Sequence, residues 1–433
     1  MQFCSTRDIR HIVSYEEAIF RGLAPDGGLY HPVKHPDLQE LFASLNPGMD
    51  FTAIAGKLIT ALFPDYFDKD KAKEIAEKAF PFSPELVHLD NKLYLLELFH
   101  GPSCAFKDFG ASFLATCMEE FLKQEHRKAV ILTATSGDTG SAVAQAFYKK
   151  ENIDVVILYP SGRVSPLQEK QLTTLGANIH ALEVKGSFDD CQRMVKEAFM
   201  DTELRSTFNL TSANSINLGR LIPQSFYYVY AYAQLKDTDK APVFCVPSGN
   251  FGNLTAGVYA SIWGMPTSGF IAATNANDVV PQYLAGGEYK PRPSLHTLSN
   301  AMDVGNPSNF ERLKALFGSR EKMAEHITGC SISDKETLET ISRYHKKKQT
   351  FLDPHTAVGV LASERYMQKN PAHNIISLST AHPGKFLEVV KQATGEFPPL
   401  PDRLKEALNK QKQATLIDNS LDSLSDFLRK KIK

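Results

Sequence analysis

Three short stretches hold residues whose types and spacing suit chemistry. The first is His100-Gly-Pro-Ser-Cys-Ala-Phe-Lys-Asp-Phe-Gly110, in which Lys107 stands among Phe99, Ala105, Phe106 and Phe109 just before a helical pattern. An amine buried there loses the water that stabilises its charge, and its pKa falls toward the range Schiff-base chemistry needs. Asp108 offers the plainer alternative, a simple ion pair with Lys107. The second stretch is Thr135-Ser-Gly-Asp-Thr-Gly140, after the apolar run Ala129-Val-Ile-Leu-Thr133. The third is Ser248-Gly-Asn-Phe-Gly-Asn253, after Pro242-Val-Phe-Cys-Val246. In both, a strand feeds a glycine-bearing loop and then a helix, whose free first amides make an anion site. Ser136 and Thr139 add hydroxyls, while Gly249 and Gly252 let the backbone approach a phosphate. Neither loop is a Walker A, because no Gly-Lys-Ser/Thr closes it, and neither is a GxGxxG fingerprint. Two anion loops imply a substrate and a cofactor with separate anionic groups.

The elements that must carry these loops read as α/β. Short β-branched runs alternate with helices from about residue 93, which predicts parallel sheet covered on both faces. Strands are expected at 92–96, 129–133, 154–158, 179–184, 242–246 and 270–274, with a helix over 109–123. Ser165-Pro166 supplies an N-cap and first-turn pair, and Ser187 with Asp190 resembles a capping box built with Asp. Residues 216–235 read as one long aromatic helix, and the chain beyond about 400 as a solvated helical tail. Residues 1–92 form a unit of their own, with the turn Leu23-Ala-Pro-Asp-Gly-Gly-Leu-Tyr30 and two helical patterns. The expected division is 1–92, 93–240 and 241–433, the last two being α/β domains.

Composition excludes several classes. Of 433 residues, 48 are Lys or Arg and 49 are Asp or Glu, a formal net charge of −1. Nucleic-acid binding needs a basic excess to displace counterions, so no nucleic-acid partner is expected. No run of apolar residues is long enough to span a membrane. The N-terminus has no apolar signal core, and Asp8 and Glu16 argue against a transit peptide. Six scattered cysteines without a CxxC pair predict neither disulfides nor a metal site, and a cytoplasmic location.

Together with these loops, the segments Gly22-Leu-Ala-Pro-Asp-Gly-Gly-Leu29, Met302-Asp-Val-Gly-Asn-Pro307, Asp353-Pro-His-Thr-Ala-Val-Gly359 and Ser379-Thr-Ala-His-Pro-Gly-Lys385 resemble the threonine synthase family, in the right order along nearly the whole chain. The resemblance implies the type II fold of pyridoxal 5'-phosphate enzymes, two parallel-sheet α/β domains with an additional N-terminal domain. It implies a carbon–oxygen lyase acting on a phosphate, turning O-phospho-L-homoserine and water into L-threonine and phosphate, the last step of threonine biosynthesis. A phospho-lyase of the same fold, giving 2-oxobutyrate from phosphohomoserine or phosphothreonine, is the alternative. Carried over, Lys107 becomes the Schiff-base lysine. Ser248, Gly249, Asn250, Phe251, Gly252 and Asn253 hold the cofactor phosphate, and Thr380 faces the pyridine nitrogen. Ser136, Gly137, Asp138 and Thr139 hold the substrate carboxylate, and Asn214, Ser215 and Arg220 the substrate phosphate. Asn214 or Ser215 also reads as a helix cap. His100, His355 and His382 read as structural or catalytic. The expected assembly is a monomer or a homodimer.

Overall fold

Apolar β-branched runs form the two sheets on which the site is built. In the computed structural model, which describes residues 1–135, 137–236, 238 and 240–432, the larger sheet has six strands. Their spatial order is Ile327–Ser331, Gly269–Thr274, Val243–Pro247, Ile375–Ser379, Leu93–Glu97 and Glu85–Asp90. Every neighbouring pair is parallel except the last, which is antiparallel. The central strands Val243–Pro247 and Ile375–Ser379 are buried at every residue, as helices on both faces require. The second sheet is wholly parallel, in the order Ala414–Ile417, Ile179–Val184, Ile153–Pro160, Ala129–Ala134 and Leu210–Thr211. A small antiparallel sheet of Ile12–Val13, Phe3–Ser5 and Tyr30–Pro32, with the helices Phe51–Leu62 and Lys69–Ala79, makes the N-terminal unit.

The expected caps hold. Ser165 accepts from the Gln168 N–H with Pro166 in the first turn. Ser187 and Asp190 bond reciprocally, so the shorter Asp closes a capping box.

Two expectations are corrected. The helix over 216–235 is two pieces, Leu218–Leu221 and Gln224–Gln234, broken at Pro223, which has no N–H to continue the ladder. The segment beyond 400 is not a solvated tail. Its strand Ala414–Ile417 extends the second sheet, and its helix Leu421–Lys431 buries Leu424, Phe427 and Leu428. Leu93–Glu97 pairs with Ile375–Ser379 and Ala414–Ile417 with Ile179–Val184, so each sheet draws strands from both sides of residue 240.

The N-terminal unit braces the helix that begins at Lys107. Phe109, one turn in, packs edge-on against Phe51 at 5.3 Å, Phe82 at 5.1 Å and Tyr227 at 5.5 Å between ring centroids. Such geometry suits the ring quadrupoles and fixes the helix start against rotation.

Candidate active site

Lys107 opens the helix Lys107–Glu125, and the residues before it are laid on the loop that follows the strand Ile375–Ser379. The Phe106 N–H donates to Thr380 O at 2.9 Å, the His382 N–H to Cys104 O at 3.1 Å, and Ala105 pairs with Ala381. Thr380 and Lys107 are thereby brought into one site. Burial pulls the Lys107 ammonium below its ordinary pKa; the Asp138 carboxylate opposes this, and the charges of Lys385 and Arg220 reinforce it.

Asp108 does not form the ion pair with Lys107 that the sequence left open. Its Oδ2 accepts from the Ser103 N–H at 2.9 Å, and its Oδ1 has no partner. Burial raises this carboxyl to about 6, against the opposing hydrogen bond from Ser103.

The loop 248–253 has the form expected of a phosphate cradle. The Ser248 N–H is taken by Ala273 O at 3.0 Å, and its hydroxyl donates to Asn253 Oδ1 at 2.6 Å. Asn253 Nδ2 donates back to Pro247 O at 2.9 Å, so these two side chains shape the loop. Phe251 takes a left-handed φ of 59°, turning the chain into the helix Gly252–Ile262. Among the described residues, nothing accepts from the five successive amides of Gly249, Asn250, Phe251, Gly252 and Asn253. Five free amides at a helix N-terminus suit a phosphate dianion.

The loop 135–140 is organised by Thr135, whose Oγ1 accepts from the N–H of Gly137 at 3.0 Å and of Gly140 at 2.9 Å. The Gly137 amide is therefore committed, leaving those of Asp138 and Thr139 at the start of the helix Asp138–Phe147. The Asp138 carboxylate is held through Oδ1, which meets Lys385 Nζ at 2.8 Å and Gln168 Nε2 at 3.1 Å. Ser136 lies outside the described residues.

Arg220, 2% exposed, sits against the first turn after Lys107; a Cβ at Gly110 would stand 2.5 Å from Arg220 O. Its Nη1 donates to Ala213 O at 2.7 Å, while its buried Nε has no partner. Burial lowers its pKa to about 10, opposed by the Asp108 charge. A buried guanidinium with an orphaned N–H is what an arriving phosphate would satisfy. Asn214 accepts from the Thr133 hydroxyl at 2.8 Å, and Ser215 Oγ from Asn250 Nδ2 at 2.8 Å. Neither caps the next helix. Asn217 does, through Oδ1 to the Gly219 N–H at 2.9 Å.

Two further residues shape the candidate site without being singled out by the sequence, Thr135 and Lys385. Both lay inside quoted motifs, and a buried Lys385 is legible only once Asp138 is seen 247 positions away in sequence and 2.8 Å away in space. The three histidines are each hydrogen-bonded within the fold. His355 Nε2 accepts from the Ala301 N–H at 3.2 Å and its Nδ1 lies 2.8 Å from Asp353 Oδ1, which fixes the tautomer with the proton on Nδ1. His382 Nδ1 accepts from the Gly384 N–H at 3.0 Å. His100 bonds Glu97, 3.0 Å away, and that contact raises its pKa.

Residues 80–380 match the pyridoxal-phosphate dependent enzyme family, residues 2–80 the threonine synthase N terminus and residues 356–428 the threonine synthase C-terminal family. The threonine synthase of Serratia marcescens is 40% identical over 431 residues, covering 99% of this chain and 98% of its own. That of Escherichia coli is 42% identical over 94% of each chain. Among solved structures, the PLP-bound threonine synthase of Brucella melitensis superposes with a TM-score of 0.94 at 35% identity, covering 99% of each chain. The yeast enzyme gives 0.91 at 33%, covering 99% of this chain and 98% of its own.

Proposed function

The chain belongs to the threonine synthase family and is a pyridoxal-phosphate-dependent lyase of fold type II, and from that premise we propose which residues do the work and on what substrate. The substrate is O-phospho-L-homoserine, which with water gives L-threonine and phosphate. One pair of features supports this reading: the chain offers two separate groups of unsatisfied donors, the free amides of 249–253 and the orphaned Nε of Arg220, whose charge acts on Lys107. A cofactor phosphate and a substrate phosphate need one each.

The residues present fit pyridoxal phosphate. Lys107 supplies the amine, the amides of Gly249 to Asn253 the phosphate cradle, and Thr380 a hydroxyl for the pyridine nitrogen. When bound, the cofactor supplies an electron sink for the substrate's Cα. The chain's own residues do the rest. The amides of Asp138 and Thr139, with Ser136, orient the substrate carboxylate. Lys107, its pKa lowered by burial, takes the proton from Cα and moves protons at Cβ and Cγ, work that an amine charged at all times cannot do. Arg220, Asn214 and Ser215 hold the phosphate as it leaves Cγ, and water then adds at Cβ.

No described helix is long and apolar enough to cross a membrane. All six cysteines are free, which supports placing the reaction in a reducing cytoplasm. The test of the assignment is an Arg220→Met variant assayed at saturating cofactor. Loss of turnover with cofactor absorbance intact supports the substrate-phosphate role; unchanged KM and kcat refute it.

A further inference from the structure

A buried lysine pairs with a buried carboxylate beside the proposed site. Lys385 follows the strand Ile375–Ser379 of the larger sheet, and its side chain has 0% exposure. Its Nζ meets Asp138 Oδ1 at 2.8 Å and donates to Ser103 O at 2.8 Å. Asp138, 6% exposed at the side chain, begins the helix after the second sheet's strand Ala129–Ala134. We propose that Lys385 is a positioning residue that holds the Asp138 carboxylate away from Lys107 and so sets the charge around the Lys107 nitrogen. This rests on reading Lys107 as the cofactor lysine.

Stability alone does not explain the pair, since a buried ion pair adds little over an apolar replacement of the same volume. Position does. Without Lys385, an uncompensated Asp138 carboxylate would stand beside the amides read as the substrate-carboxylate site and would repel that carboxylate. It would also draw the Lys107 ammonium into an ion pair, removing the free amine. The charged groups that face Lys107 are Asp138, Lys385 and Arg220. The groups on which the Lys385 charge acts are Asp138, Lys107, Asp108, Cys104 and His382. Asp138 is thus the one carboxylate among the described residues that acts directly on Lys107. Arg220 pushes in the same direction as Lys385, and the remaining groups stay in place in every variant below. Gln168, also bonded to Asp138, is neutral and cannot replace the lysine's charge.

The pH midpoint of the visible band of the lysine-bound cofactor, read on full-length holoenzyme, reports the charge at the Lys107 nitrogen without requiring turnover. Lys385→Met leaves Asp138 uncompensated, which favours the protonated nitrogen; the midpoint should rise by about one pH unit. Asp138→Asn leaves Lys385 uncompensated and should lower it by a similar amount. The double variant should return close to wild type, and Lys385→Arg, which keeps the charge, should match wild type. Shifts of one sign in both single variants, or no shift in either, overturn the proposal. If Lys385→Met fails to fold, Asp138→Asn against the double variant decides by the same signs. A band that survives Lys107→Ala would instead refute the underlying assignment of Lys107, whatever the Lys385 variants do.

Discussion

Asn250 Nδ2 donates to Ser215 Oγ at 2.8 Å, so the loop before the helix Gly252–Ile262 and the loop before the helix Leu218–Leu221 share a hydrogen bond. The same side chain accepts from the Ser308 N–H at 2.6 Å, which ties in the segment that follows Met302-Asp-Val-Gly-Asn-Pro307. One amide group therefore fixes the spacing between the proposed cofactor-phosphate and substrate-phosphate sites. Asn250→Ala should weaken both, raising the cofactor dissociation constant and the substrate KM by roughly three- to tenfold each, the effect of losing one or two net hydrogen bonds. Titration of the variant with pyridoxal phosphate, followed by steady-state kinetics, checks this. A change confined to one of the two sites would break the link.

Arg220 should trade activity against stability. It is a buried cation with an unpartnered Nε, so Arg220→Met removes a desolvated charge and should leave the thermal midpoint of the phosphate-free protein unchanged or higher. Arg220→Lys keeps a charge and loses the planar fork, and kcat/KM should fall roughly 10–100-fold. Inhibition by inorganic phosphate should weaken in parallel. Undiminished inhibition would remove Arg220 from the phosphate site.

Asp108 gives a pH signature. Burial raises its carboxyl from an ordinary 3.8 to about 6, so between those values the native state holds a proton that the unfolded chain has released. Native-state stability from this group is therefore full below about pH 4 and lost as pH rises through about 6. Asp108→Asn, which cannot ionise, should gain on wild type across that window by about 2–3 kcal/mol, and by no more above it. Chemical denaturation of both proteins at pH 4.5 and 7.5 measures the difference. An equal offset at both pH values would contradict the assignment.

Gly249 and Gly252 should differ in the cofactor-free protein. A Cβ at Gly249 would lie 2.7 Å from Met302 Cα and 3.0 Å from Ala301 O, both backbone atoms that cannot swing aside. At Gly252 the nearest atom is the Asn309 side-chain nitrogen at 3.3 Å. Gly249→Ala should cost about 1–3 kcal/mol of stability and Gly252→Ala clearly less. Thermal melts without cofactor test the order.

Local signals in the sequence are legible where a few neighbouring residues settle the outcome. Ser165 with Pro166, and Ser187 with Asp190, start helices by bonds that span three residues. The strands around the three loops were legible because full burial on both faces leaves continuous apolar runs. What escaped reading depends on distant partners. The strand Ala414–Ile417 has Thr415 and Leu416 exposed, so its pattern lacks the signal of its buried neighbours, and only pairing with Ile179–Val184 reveals it. The aromatic pattern over 216–235 runs through Pro223, which splits the helix. Asn217 rather than Asn214 or Ser215 caps the helix because its side chain also reaches Ile19 O, at 2.7 Å, in the N-terminal unit. Lys385 looked like one more lysine until burial placed it on Asp138.

The most direct measurement is product formation from O-phospho-L-homoserine by wild type and Lys107→Ala, each purified with pyridoxal phosphate, with threonine, 2-oxobutyrate and phosphate quantified and the visible spectrum recorded. Wild type should show the lysine-bound cofactor band and release threonine and phosphate one to one, while Lys107→Ala should lack that band and form no threonine. Threonine from the Lys107→Ala protein, or 2-oxobutyrate in place of threonine from wild type, would contradict the account.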